Sequence, residues 1–173
     1  MKYYSGIGDK GYTFTFEKKH KKSEPIVNAI GTLDELSAFL GLAESACTYE
    51  EIKGLLKNIE LAVYTISSEV AYEAAGKLAL KRLAESDVSF LEGKTDDYGK
   101  FIKDIKRFVY PNGSISSTSI NVCRAVARRA EREAVAAGIK NDVVLKYLNR
   151  LSSLLFVLFR YVNEKEKNEE DFF

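Results

Sequence analysis

Four arginines and two glutamates fall within the ten residues from Arg124 to Glu133 of the stretch VCRAVARRAERE. At about 100° per residue, Arg124, Arg128 and Glu131 share one narrow sector of a helix, with Arg132 beside them. Cys123, Val126, Ala127, Ala130 and Ala134 take the opposite, apolar side. Arg124–Arg128 and Arg128–Arg132 are like-charge i,i+4 pairs, each costing about 0.2–0.5 kcal/mol on a bare helix. Glu131 offsets only part of that. Such a face calls for an anionic counterpart, either carboxylates of another element or a phosphate ligand. A solvated stripe is the bland alternative.

A second candidate is GIGDKGYT, Gly6 to Thr13. It has the form G-x-G-x-x-G, but a dinucleotide fingerprint needs a strand before the first glycine and a helix after the last. Only five residues precede Gly6, and the residues after Gly11 alternate as an extended segment. The local physics survives: glycines let successive N–H groups converge on an anion, and Lys10 and Thr13 add donors. A flexible turn is the competing reading.

The third is KYLNRLSSLLFVLFRYVNE, Lys146 to Glu164. Leu148, Leu151, Leu155, Leu158 and Val162 form its core stripe. Asn149, Ser153, Arg160 and Asn163 line another side with Phe156 among them, which suggests either a polar seam between helices or the wall of a site. On an earlier helix Asp34, Ala38, Gly41 and Ser45 share a face. Small residues there permit close approach of another helix, and Asp34 is a ready partner for an arginine. If that neighbour is another subunit, the sites lie between protomers.

The whole chain narrows these options. Its 173 residues suit one domain, 1–173, with a buried core. The 26 basic and 25 acidic side chains leave a net charge of +1, which argues against bulk nucleic-acid binding. Cys47 and Cys123 sit in apolar helical patterns, as thiols do in a reducing cytosol. One histidine, His20, and no cysteine pair at ligand spacing leave a protein-held metal without donors. The first residues lack a secretory apolar region, and the longest apolar run, LLFVLF, is too short for a bilayer. A soluble, cytoplasmic chain with no membrane association is the expectation.

The positioning elements come from periodicity. An extended N-terminal arm covers 1–31, with GYTFTF as a short strand and EKKHKKSEP as a charged loop. TLDE at 32–35 has the capping-box form, so a first helix is expected from Thr32. A second spans about 50–75, a third about 77–92, and a shorter one about 95–109. The loop YPNGSISSTS ends in N-cap residues, and the arginine helix runs from there to Ala137, with Gly138 as its stop. A last helix covers about 142–166, with a frayed tail. The fold class is all-α, a mostly antiparallel, up-and-down bundle of about five helices.

In this order, the segments resemble the ATP:cob(I)alamin adenosyltransferases of the propanediol-utilisation type. GDKGYT is similar to that family's T-G-D-x-G-x-T loop, GTLDELSAFLGLA to its G-x-x-D-E-L-N-S-x-x-G segment, and FVYPNGS to its F-[IV]-L-P-G-G-[ST] loop. VCRAVARRAERE resembles its A-R-x-x-x-R-R-A-E-R helix and YLNRLSSLLFVLFRYVN its final helix. The resemblance implies a five-helix bundle assembling as a homotrimer, with ATP between subunits. It implies transfer of the 5′-deoxyadenosyl group from ATP to the cobalt of cob(I)alamin, releasing triphosphate, with Mg²⁺ accompanying ATP. A cobalamin reductase and an adenosylcobalamin-dependent enzyme are the further partners implied.

By the same resemblance, Gly8, Asp9, Gly11 and Thr13 would cradle the triphosphate and Lys22 would add a phosphate contact. Arg128, Glu131 and Asn149 would hold the nucleotide, with Arg128 nearest the leaving group. Arg124 would pair with Asp34 across the subunit boundary. Phe108 would pack under the corrin ring and help displace its lower ligand. Ser5, Ile7 and Ile26 depart from the family pattern. Asn112 stands for a glycine and Ser153 for an aspartate, both on the corrin side, so turnover and corrinoid choice rest on those positions. Two alternatives stay open: a non-catalytic ATP or cobalamin sensor or carrier of the same fold, and a helical module docking an acidic partner.

Overall fold

The computed structural model describes residues 3–105 and 107–173. A 3-10 turn at Ile7–Lys10 leads into a two-stranded antiparallel hairpin, β1 (Tyr12–Thr15) and β2 (Lys18–Lys21). Five helices come next: α1 (Pro25–Ala46), α2 (Glu50–Ala74), α3 (Glu85–Gly99), α4 (Ile115–Ala137) and α5 (Asp142–Lys165). α1 packs against α2 and α4, α4 against α5, and α5 against α3. The all-α bundle is as the periodicity predicts, and its five helices are the number that the resemblance implies.

Three boundaries arise from local chemistry. Ser114 caps α4 by accepting from Ser117 N at 3.1 Å, and Asn141 caps α5 by accepting from Val143 N at 3.1 Å. Gly138 ends α4 at φ 67°, a left-handed conformation that costs glycine little. Each side-chain cap contributes about 1 kcal/mol. Burial contributes more. Val144, Leu148, Leu151, Leu155 and Leu158 of α5 are fully buried, and each such side chain contributes roughly 1.5–3 kcal/mol. The apolar stripe therefore seats α5, and the cap only sets where it starts.

The structure corrects the sequence reading in four places. α1 begins at Pro25, seven residues before the expected Thr32, because proline fits the first turn of a helix. Thr32 lies inside the helix, where its hydroxyl donates back to Asn28 O at 2.9 Å, so the capping box is not used. One helix, α3, stands where two were expected. Residues 77–84 are non-helical after Gly76 turns the chain at φ 72°, and Arg82 holds the segment by donating to the buried Glu69 at 2.8 Å. The charged stretch after Phe16 is partly a strand, β2. Finally, residues 168–173 dock back onto the loop before α4.

α1 is also long and apolar enough, by length and composition, to cross a bilayer. In this fold Ala29, Leu33, Leu36, Leu40 and Ala43 commit one of its faces to the bundle core. Another face carries Asp34, Ala38 and the exposed Leu42.

Candidate functional site

The glycine turn is held in one shape. Gly6 at φ 70° and Gly11 at φ 78° bracket Ile7–Lys10, and Lys22 N donates to Gly11 O at 2.9 Å. The Lys22 side chain then lies across the turn. A Cβ at Gly8 would sit 2.9 Å from Lys22 Nζ, so any other residue there would push the flexible ammonium aside. Beside it opens a cleft of about 570 Å³, lined by Thr13, Lys22, Asn28, Glu35, Arg129 and Glu133 among others. Arg129 pairs with Glu35 and keeps its Nε buried without a partner. Asn28, Glu35, Arg129 and Glu133 escaped the sequence reading. Their spacing, two turns on α1 and one on α4, carried the signal. Starting the helix at Thr32 hid it.

The other polar cluster lies on the α4–α5 face. Asn149 Nδ2 donates to Glu131 Oε1 at 2.8 Å, and Asn149 Oδ1 accepts from Arg150 at 2.8 Å. Arg128 is exposed, and Arg132 donates to its carbonyl at 3.0 Å. A depression of about 370 Å³ is lined by Arg128, Glu131, Arg132, Val135 and Ala136. Arg128, Glu131 and Asn149 are thus brought together. Consecutive helical residues point about 100° apart, so Arg128 and Arg129 serve different faces of α4. Within one chain the glycine-turn cleft and the Arg128 depression share no lining residue.

Arg124 is half-buried. Its Nε donates to Asn121 Oδ1 at 2.6 Å, and its guanidinium lies 5.9 Å from the Phe156 ring centroid. Burial, and then the neighbouring Arg128 charge, pull its pKa below the ordinary arginine value. Among the described residues it has no carboxylate partner, and Asp34 is exposed on α1 without an ion pair. The two do not meet within one chain.

The line of polar residues on α5 divides. Asn149 and Ser153 are exposed, whereas Arg160 and Asn163 are buried. The buried pair anchors the loop before α4. Arg160, only 4% exposed, donates to Glu170 at 2.5 and 2.8 Å and to Lys103 O at 2.7 Å. Asn163 Nδ2 donates to Asn112 O at 3.0 Å. The tail completes the clamp: Tyr110 N donates to Asp171 O at 2.7 Å, Phe173 N to Phe108 O at 3.1 Å, and Asn112 Nδ2 to Asp171 Oδ2 at 2.6 Å. The expected frayed tail is therefore a strap, and Asn112 uses its side chain to hold it. On this pinned backbone the Phe108 ring stands 85% exposed. Exposed apolar side chains are common on this surface, so the ring's exposure leaves it free for a contact without identifying one.

Gly113 is where this loop is tightest. Its φ is 136°, and a Cβ there would lie 2.0 Å from Asn163 Oδ1 and 2.5 Å from Ser117 Oγ. Gly113→Ala is expected to cost about 2–4 kcal/mol through strain and overlap. Chemical denaturation checks it; a loss under about 1 kcal/mol would show that the loop relaxes freely.

The chain matches the cobalamin adenosyltransferase family over residues 3–162. It is 35% identical over 176 residues to a corrinoid adenosyltransferase of Bacillus subtilis, covering 95% of this chain and 88% of that one. It belongs to the cobalamin adenosyltransferase family. The corrinoid adenosyltransferase MMAB of Mus musculus is 35% identical over 184 residues, 98% of this chain and 76% of that protein. In three dimensions, a variant PduO-type ATP:corrinoid adenosyltransferase from Lactobacillus reuteri complexed with cobalamin and ATP superposes with a TM-score of 0.91. It is 28% identical, with 99% and 96% of the two chains covered. A second variant of that enzyme, complexed with ATP, gives 0.88 at 28% identity, with 98% and 99% covered. In this cobalamin adenosyltransferase the strap, residues 168–173, lies beyond the matched stretch.

Proposed function

We propose that this adenosyltransferase moves the 5′-deoxyadenosyl group of ATP to the cobalt of cob(I)alamin at sites built between subunits. The cobalt(I) electron pair attacks C5′, the C5′–O bond breaks, and triphosphate leaves with the bonding pair. Cob(I)alamin is itself a strong nucleophile, so the protein's task is alignment and stabilisation of the departing charge. The residues suit that division. Gly8, Asp9, Gly11, Thr13 and Lys22 receive the triphosphate, with Lys22 preorganised across the turn. Glu131 and Asn149, already hydrogen-bonded to each other, orient the nucleoside end, and Arg128 meets the leaving group. Phe108 takes the lower face of the corrin, and Asn112 and Ser153 belong to the corrin side. Mg²⁺ accompanies ATP.

The observation that carries this reading is that the two anion-ready clusters occupy different faces of α4. Each is half a site, and a second copy of the chain supplies the other half. A homotrimer in the cytoplasm is the assembly we assign, with the apolar outer face of α1 at the contact. Asp34 of one subunit pairs with Arg124 of the next, which relieves the arginine stripe. Asp34→Ala is expected to weaken the assembly and leave the monomer fold intact. Sedimentation at falling protein concentration tests this; an unchanged mass would remove the pair from the interface.

Anaerobic spectrophotometry tests the activity itself. Chemically reduced cobalamin with ATP and Mg²⁺ should convert to adenosylcobalamin in an ATP-dependent way. ATP binding without conversion would favour a carrier or sensor, and neither binding nor conversion would leave the arginine face as a docking surface.

A further inference from the structure

β2 is nearly a palindrome. Lys18, Lys19, His20, Lys21 and Lys22 place lysines symmetrically about one histidine. A short strand of identical polar residues specifies its pairing weakly, and a slip of one residue moves every side chain to the other face. Lys22 must nevertheless be the lysine whose ammonium crosses the glycine turn.

His20 is the residue that breaks this symmetry. It is 3% exposed, whereas Lys18, Lys19, Lys21 and Lys22 are all exposed. It stands opposite Thr13 in the ladder, so Thr13, Thr15 and His20 share one side of the hairpin. Nε2 lies 2.7 Å from Thr15 Oγ1 on β1, and Nδ1 lies 2.8 Å from Glu24 Oε2. In the neutral Nδ1–H tautomer the ring donates to Glu24 and accepts from the Thr15 hydroxyl. Glu24 closes the circuit: its Oε1 accepts from Lys21 N at 2.7 Å, and its carbonyl accepts from Val27 N and Asn28 N at the start of α1. The His20 hydrogen bond, and then the Lys21 amide, hold the Glu24 carboxyl below its ordinary range. One imidazole thus ties β1, β2 and the first turn of α1 together. No slipped register preserves both bonds, because a lysine would then replace the ring.

We infer that His20 is a positioning residue that sets the register of β2 and thereby selects Lys22, rather than Lys21, for the phosphate-binding turn. It acts through Lys22 and Thr13, and it is absent from the lining of the cleft. The inference rests on assigning that turn to the ATP triphosphate.

Steady-state kinetics on the intact enzyme test it, with KM for ATP and for the corrinoid measured separately and the bundle followed by circular dichroism. His20→Leu should raise KM for ATP about tenfold and leave KM for the corrinoid unchanged. Thr15→Val, which keeps the ring and a strand-compatible side chain, should raise it by a smaller factor. The deciding readout is a cycle with the lysines. In the parent, Lys22→Met should raise KM for ATP and Lys21→Met should not. In the His20→Leu background, Lys22→Met should add less than about twofold. An unchanged KM for ATP in His20→Leu, or a full Lys22→Met effect in that background, would overturn the register role alone. A parent Lys22→Met with unchanged KM for ATP would overturn the triphosphate assignment, and this inference with it.

Discussion

Arg128→Ala is expected to slow adenosyl transfer by about 10²–10³-fold while leaving the fold untouched. The side chain is exposed and makes no ion pair among the described residues, so removing it breaks nothing in the bundle. The Arg132 guanidinium donates to the backbone carbonyl here, a bond that survives the substitution. If Arg128 meets the leaving group as proposed, the loss falls on the departing triphosphate, whose charge grows as the C5′–O bond breaks. Arg128→Lys keeps the charge and loses the planar fork, so an intermediate rate is expected. Single-turnover kinetics with prereduced cob(I)alamin separate the chemical step from binding. An unaffected rate would remove Arg128 from the mechanism.

Phe108→Ala is the second large effect, and it should depend on the oxidation state offered. The ring is exposed and packs against nothing that the fold needs, while its backbone is fixed by Phe173 and its neighbours by Asp171 and Asn163. Covering a phenyl ring contributes roughly 1.5–3 kcal/mol, which corresponds to about 10–100-fold. If that energy displaces the lower cobalt ligand, transfer starting from cob(II)alamin should fall by this factor. Transfer from prereduced cob(I)alamin should fall much less. Equal losses by the two routes would discredit the displacement role and leave Phe108 as a simple contact.

What could be read ahead of the structure divides along local and distant causes. α2, α4 and α5 were legible because their apolar stripes are long, and for α4 the serines before it and Gly138 after it agree. Helical spacing put Arg128 and Glu131 on one face; that Asn149 joins them was implied by the family resemblance, and in the structure Asn149 is bonded to Glu131. The start of α1 was not. A threonine with an acid three residues later can cap a helix or sit within one, and only the back-bond to Asn28 decides. β2 was invisible because a lysine run has no alternation to read. The strap was invisible because its partners are far away in sequence, as with Asn112 and Asp171, 59 residues apart.

That separation sets the loop carrying Phe108 apart from the glycine turn. The glycine turn and its hairpin close between near neighbours, at little entropic cost. The loop carrying Phe108 cannot take its final shape until α4 and α5 have packed and the last residues have returned to it, and closing so long a segment costs more. The glycine turn is thus a local closure, whereas the loop carrying Phe108 is a closure that needs the packed bundle. By the same logic the loop carrying Phe108 is expected to exchange its amide hydrogens faster than the helices that hold it.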